Sequence, residues 1–310
     1  MLHRPDVLVL GGGGVLGEAW MMGVLAGIED GSQLDLCKCG HFVGTSAGAI
    51  VAAHLHAGES PRRPESVPDR DQPASAEPAE GLAAAGFSAA KRMGAVAWSA
   101  AAAFAPLALG VAAPGGAIAR AAMLRRLPTP RQSLDGLGRH VWRSGGSFDG
   151  RLRVVAVDRR TGRRVVFGSP GAPHAGVAEA VTASCTVPWL FAPVQIGGRE
   201  YVDGGVWSPT NLDVAPAGRG ARVLCLAPTA SIVGSQRLIA LFRNVTRVAA
   251  SVEALALRRC GANVRTVAPN RESAVAMGSN LMDTEPREGV LAAAYRQGIA
   301  LALNSDPTGR

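Results

Sequence analysis

Val7-Leu-Val-Leu10 runs straight into Gly11-Gly-Gly-Gly14. An unbroken run of β-formers reads as a strand buried on both faces, the habit of parallel sheets. Glycine loses more backbone entropy on folding than any other residue. Four in succession at the end of a buried strand therefore imply that bare backbone is needed there. Glu18 to Glu29 reads as a helix stopped by Gly31, His41-Phe-Val43 as a second strand and Ala47 to Ala57 as a second helix. This βαβα opening commits the chain to an α/β fold, a mostly parallel sheet with helices on its faces.

Two uses of the glycines compete. Gly12-x-Gly14-x-x-Gly17 fits a dinucleotide fingerprint, which needs an acidic residue near the end of the second strand to hold the ribose. That strand instead enters Gly44-Thr-Ser46, and Asp35 lies before it. The other use is an oxyanion hole, in which the N–H groups of Gly12, Gly13 and Gly14 at a helix N-terminus meet developing negative charge.

Gly44-Thr-Ser46-Ala-Gly48 sits between the second strand and its helix. G-x-S-x-G at such a junction makes a sharp turn that exposes the serine hydroxyl, with the positive end of the helix aimed at it. The bland alternative is a glycine-rich loop with a capping serine. A serine nucleophile needs a base, yet His3, His41, His54, His56, His140 and His174 leave the C-terminal third without a histidine, so a Ser…Asp…His order fails. His54 and His56 point to different helix faces and read as one surface and one packing residue. Asp203, ending an apolar strand before Gly204-Gly205, is the better base, against the default of a turn aspartate bonding its own backbone.

Further elements follow the same logic. Arg153–Val157 and Arg164–Phe167 read as an antiparallel pair across Asp158–Gly162, and Gly176–Ser184 as a short helix. Tyr201–Asp203, Arg222–Ala227 and Asn263–Ala268 read as strands, Ser235–Cys260 and Arg287–Leu303 as helices. Ser60 to Glu80 is rich in proline and charge and reads as a solvated excursion. Met93 to Ala119 carries no charge and is long enough to cross a bilayer. Pro106, Pro114 and several glycines favour a lid, an interfacial segment or a buried hairpin instead.

A hydrophobic content of 47% supports a sizeable core, and a formal charge of +8 points either to nucleic acid or an anionic membrane or, equally, to a basic compositional bias of scattered arginines. No basic run is interleaved with aromatics, so nucleic acid is set aside. Five cysteines form no disulfide framework, and Cys37-Lys-Cys39 is too tight for a zinc pair. They read as reduced thiols of a cytoplasmic protein. Met1 to Asp6 does not read as a signal peptide.

Together Gly12–Gly17, Gly44–Gly48 and Asp203–Gly205 resemble, in order, the glycine loop, G-x-S-x-G and D-G-A/G motifs of the patatin-like phospholipase family. Ala183–Val194, "ASCTVPWLFAPV", is similar to a further segment of that family, and Asn211 matches a frequent asparagine. Two positions depart from the pattern. Val15-Leu16 stand where the family often has a basic residue, and Asp213 stands where it usually has proline. The resemblance implies a three-layer α/β/α fold in which Ser46 attacks an acyl ester and Asp203 serves as base. Gly12, Gly13 and Gly14 would form the oxyanion hole, and Gly17, Gly44, Gly48, Gly204 and Gly205 would shape the motifs. The resemblance covers roughly Asp6–Ala57 and Arg153–Ala227; we expect a catalytic domain over 5–228 with an insertion at 59–143, and a helical extension at 229–310 packed on the same domain. The implied substrate is a fatty-acyl ester, a phospholipid or lysophospholipid included, met at a peripheral membrane surface, with no metal or cofactor. The alternatives are an acyltransferase using the same pair, or a non-catalytic lipid- or dinucleotide-binding module.

Overall fold

A computed structural model describes residues 3–67, 116–143, 146–232 and 237–304. Most of the 59–143 insertion, including 68–80 and 93–115 of the two segments singled out above, lies outside the described residues.

β1 (Val7–Leu10) lies between β2 (His41–Thr45) and β7 (Arg222–Leu226), parallel to both. β3 (Leu152–Asp158) extends the parallel set beyond β2, and β8 (Asn263–Val267) extends it beyond β7. β4 (Arg164–Phe167) and β6 (Arg199–Asp203) pair antiparallel with β3, and β5 (Val194–Ile196) closes a hairpin with β6. The eight strands form one sheet. Moving out from β1 through β2 to β3, the chain later returns to β7 on the other side of β1. That reversal makes a topological switch point beside β1, and open α/β sheets bind ligands at the carboxyl ends of the strands near such a point.

Alternation along the strands sets the layers, because successive side chains face opposite ways. Leu8, Leu10, Phe42, Val154 and Ala156 face one side. Helices α1 (Gly14–Ser32), α2 (Ala47–His56), α5 (Val177–Cys185) and α8 (Arg287–Leu303) cover it. Val7, Val9, Val43 and Val155 face the other side, under α6 (Arg237–Arg259) and the chain around Leu212–Ala215. α3 (Gly116–Arg126) lies over Val157 and Val202. α4 (Asp135–Arg143) and α7 (Arg271–Met277) complete the helices of the described residues. The expected three layers are present.

Three local expectations shift. α1 begins at Gly14, four residues before the expected start, because the glycines lodge in its first turn against Pro228 and Leu281–Met282, where a side chain would not fit. The 229–310 segment is more than a helical extension. It supplies edge strand β8, and its last helix packs so closely on α1 that a Cβ at Gly27 would overlap the Tyr295 carbonyl. The excursion does not begin as solvated chain at Ser60. Pro61 and Pro64 are buried, and the Arg63 guanidinium grips Asp30 of α1 at 3.0 Å through two nitrogens.

Candidate active site

Register, rather than sequence distance, assembles the site. At Val154, β3 pairs with β2 and β4; at Ala156 it pairs with β6 and β4. β2 and β6 therefore lie on the same side of β3, end to end. Thr45 stands opposite Val155, and Asp203 opposite Ala156, the next position along. Ser46 follows Thr45, so its approach to Asp203 is built into the pairing of three strands. Gly204 fits into this meeting point only without a side chain, since a Cβ would overlap the Val155 carbonyl and lie 3.3 Å from Thr45 Cγ2.

The two outer glycines of the serine turn have the same cause. A Cβ at Gly44 would overlap Ala49, and one at Gly48 would overlap the Leu10 carbonyl, so α2 could not fold back onto β1 and β2. Ser46 itself has φ 52° and ψ −124°, a conformation costing a non-glycine residue about 1–3 kcal/mol. It is the N-cap residue of α2, yet its side chain makes no capping hydrogen bond. The capping-serine alternative thus loses its basis. Ser184 supports the strained turn. Its Oγ accepts from the Ser46 N–H at 2.8 Å and donates to the Val155 carbonyl at 2.6 Å, fully buried.

Asp203 is 4% exposed. Its Oδ1 accepts from the Gly205 N–H at 2.6 Å, the backbone turn bond expected of an ordinary aspartate there. Oδ2 has no partner of full hydrogen-bond geometry among the described residues. Burial pushes the carboxyl up from an ordinary 3.8 to about 6, opposed by hydrogen bonding from the Ser46 side chain and the Gly205 N–H. The hydroxyl thus lies within reach of the carboxyl without a settled bond to Oδ2.

The glycine loop crosses directly over the serine. A Cβ at Gly12 would lie 3.3 Å from Ser46 Cβ. The three expected oxyanion donors divide here. The Gly12 N–H donates to the Pro209 carbonyl at 2.8 Å and is occupied; the Gly11 N–H donates to the Leu226 carbonyl at 2.9 Å. Gly12 is therefore a clearance residue that pins the loop. Among the described residues, the Gly13 and Gly14 N–H groups meet no acceptor, as the first turn of a helix dictates. Gly14 has φ +61°, and a Cβ there would lie 2.8 Å from both the Leu281 carbonyl oxygen and Met282 Sδ. Gly17 stays bare for Pro228, whose Cβ would be 3.2 Å from an added methyl.

Asn211 locks the meeting point from below. Fully buried and left-handed at φ 46°, it donates from Nδ2 to Thr45 Oγ1 at 3.1 Å, to the Gly204 carbonyl at 3.3 Å and to the Ser208 carbonyl at 2.6 Å. Its loop is anchored by Glu253 of α6, which accepts from Thr210 Oγ1 at 2.6 Å and the Leu212 N–H at 2.8 Å. Asp213 is held by Arg164 through two contacts of 2.6 and 2.7 Å. Sequence reasoning passed over Ser184 and Glu253. Ser184 lay inside the quoted Ala183–Val194 segment, but nothing in sequence marked Glu253.

The histidines stay away. His54 and His56 lie on α2 about 12 and 15 Å along its axis from Ser46, at 1.5 Å per residue. Neither is a surface residue: His54 packs against the His140 ring, and His56 Nε2 meets Asp149 at 2.9 Å with its side chain 6% exposed. Among the described residues Glu29, Asp35 and Cys37 form a cluster of metal-ligand type at the other end of α1, remote from Ser46.

Comparison with known proteins matches residues 8–216 to the family model described as patatin-like phospholipase. Among solved structures, VipD from Legionella pneumophila is similar at TM-score 0.44 and 15% identity, over 97% of this chain and 67% of that one. No helix among the described residues is long and apolar enough to cross a membrane.

Proposed function

This chain belongs to the patatin-like phospholipase family, and on that premise we propose that it hydrolyses fatty-acyl esters through an acyl-enzyme on Ser46, with Asp203 as base. The family places it among lipid acyl hydrolases; the residue roles are our reading. The observation that carries it is a strained, uncapped serine hydroxyl within reach of a buried carboxyl that keeps one oxygen unshared.

Ser46 Oγ attacks the ester carbonyl as Asp203 takes its proton. The Gly13 and Gly14 N–H groups receive the oxyanion, each such donor contributing on the order of a hundredfold to a thousandfold in rate. Collapse expels the alcohol, which regains a proton from Asp203. Water then attacks the acyl-enzyme, giving its proton to Asp203; collapse breaks the bond to Ser46 Oγ, which takes that proton back from Asp203 as the fatty acid leaves. A carboxyl titrating near 6 is ionised at neutral pH yet more basic than an exposed aspartate, which suits both proton transfers. In this reading 5–228 with its 59–143 insertion is the catalytic unit, and 229–310 is an integral flank of it. The protein works in the cytoplasm and meets its lipid at a membrane surface.

Fluorophosphonate labelling and a p-nitrophenyl ester series test this with wild type, Ser46→Ala and Asp203→Asn. Labelling at Ser46 and loss of turnover in both variants, with circular dichroism retained, are expected. An unlabelled wild type would leave a non-catalytic lipid-binding module. Faster acyl transfer to an added alcohol than to water would put the acyltransferase first.

A further inference from the structure

A cleft of about 630 Å³ opens where the β5–β6 hairpin tip meets the β3–β4 turn. Arg125, Arg159, Arg160 and Arg199 line it. Two of them are committed to the fold. Arg159 pairs with Glu200 at 2.9 Å and donates to the Leu124 and Leu127 carbonyls at the end of α3, while Arg199 meets the buried Asp158 at 3.1 Å. Arg125 and Arg160 are exposed and meet no carboxylate among the described residues. Four guanidinium groups against two carboxylates leave the cleft positive. Gly197 and Gly198, both at positive φ, leave the hairpin tip bare of side chains.

The strands fix where this cleft lies. β6 starts in it, at Arg199, and ends in the active site, at Asp203. Four steps of about 3.3 Å put the two roughly 13 Å apart. β6 continues along β3 from the point where β2 delivers Ser46, so the cleft stands on the same edge of the sheet, farther out. The arginines and Ser46 thus lie toward the same end of the sheet, the carboxyl end of β2 and β3. The phosphate and the acyl carbonyl of one phospholipid are only a few bonds apart, too close to fill both places. An anion in the cleft therefore belongs to a neighbouring lipid. Ile118, 79% exposed, lies seven residues before Arg125 on the same face of α3, adding an apolar contact beside the charge.

We propose that this arginine cleft and the adjoining face of α3 dock the protein on an anionic lipid surface, holding the headgroup phosphate of a lipid other than the one being cleaved. The proposal rests on the lipid-hydrolase reading and sharpens its membrane partner. Its test is co-sedimentation of the full chain with phosphatidylglycerol/phosphatidylcholine vesicles and with phosphatidylcholine alone. Binding is measured in a Ser46→Ala background, so that no lipid is consumed. Salt-sensitive preference for the anionic vesicles is expected, and Arg125→Gln/Arg160→Gln should weaken it roughly thirtyfold, two juxtamembrane charges' worth. With Ser46 intact, the same double variant should hydrolyse a soluble p-nitrophenyl butyrate at the wild-type rate. Equal affinity for both vesicle types, or unchanged binding by the double variant, overturns the proposal. So does displacement from the cleft by millimolar inorganic phosphate without any vesicle preference, which would make the site one for free phosphate. Loss of ester turnover in wild type would strike the hydrolase reading while leaving vesicle binding to be judged on its own.

Discussion

Asp203→Asn should abolish activity and, at the same time, stabilise the fold. The wild-type carboxyl titrates near 6 in the folded protein against an ordinary 3.8, chiefly because burial disfavours its charge. Since the folded pKa is raised, the contribution of this group to stability is fully present below pH 3.8 and is lost as pH rises through about 6. One unit is 1.36 kcal/mol, so at pH 8 the ionised carboxylate costs the folded state about 3 kcal/mol relative to a neutral side chain. At pH 4.5 the same comparison gives about 1 kcal/mol, because the unfolded chain alone is then largely ionised. Asparagine keeps an oxygen for the Gly205 N–H, now bonded at 2.6 Å, so the turn survives. Thermal unfolding of both proteins at the two pH values is the assay. The variant's midpoint should exceed wild type by several degrees at pH 8 and by clearly less at pH 4.5. A gain equal at both pH values, or a variant less stable at pH 8, would refute a burial-raised carboxylate. In wild type the same group predicts kcat/KM falling about tenfold per unit below pH 6; a flat acid limb would be equally damaging.

Ser184→Ala strips a partner from both the Ser46 N–H and the Val155 carbonyl, so a loss of about 1–3 kcal/mol by denaturant melts is expected together with a fall in kcat. Glu253→Ala should lower kcat with little change in KM, by loosening the loop that carries Asn211, and Glu253→Gln should recover much of it; equal kcat in all three proteins would show the loop needs no such anchor. Gly27→Leu forces a side chain into the Tyr295 carbonyl and should part α8 from α1, leaving little soluble folded protein on size-exclusion chromatography.

The sequence by itself determined the sheet class and pointed to Ser46 and Asp203. A buried strand must read as continuous apolar residues, and a sharp strand-to-helix turn must carry small neighbours, so β1, β2 and the Ser46 turn are written in local composition. Arg287–Leu303 was legible to the residue because it opens directly after Pro286 and runs through strong helix formers such as Leu291, Ala292–Ala294 and Ala300–Leu303. What sequence could not decide was contact across the chain. Nothing local marks that β2 and β6 share one side of β3, which alone brings position 46 to position 203. Nothing local marks that the Pro209 carbonyl takes the Gly12 N–H, leaving the next two amides open. Glu253 looks like any charged residue of an amphipathic helix until the fold sets it against the Asn211 loop, half-buried and hydrogen-bonded. Hydrogen-bond partners and desolvation are properties of the packed neighbourhood, and the neighbourhood exists only once distant segments have met.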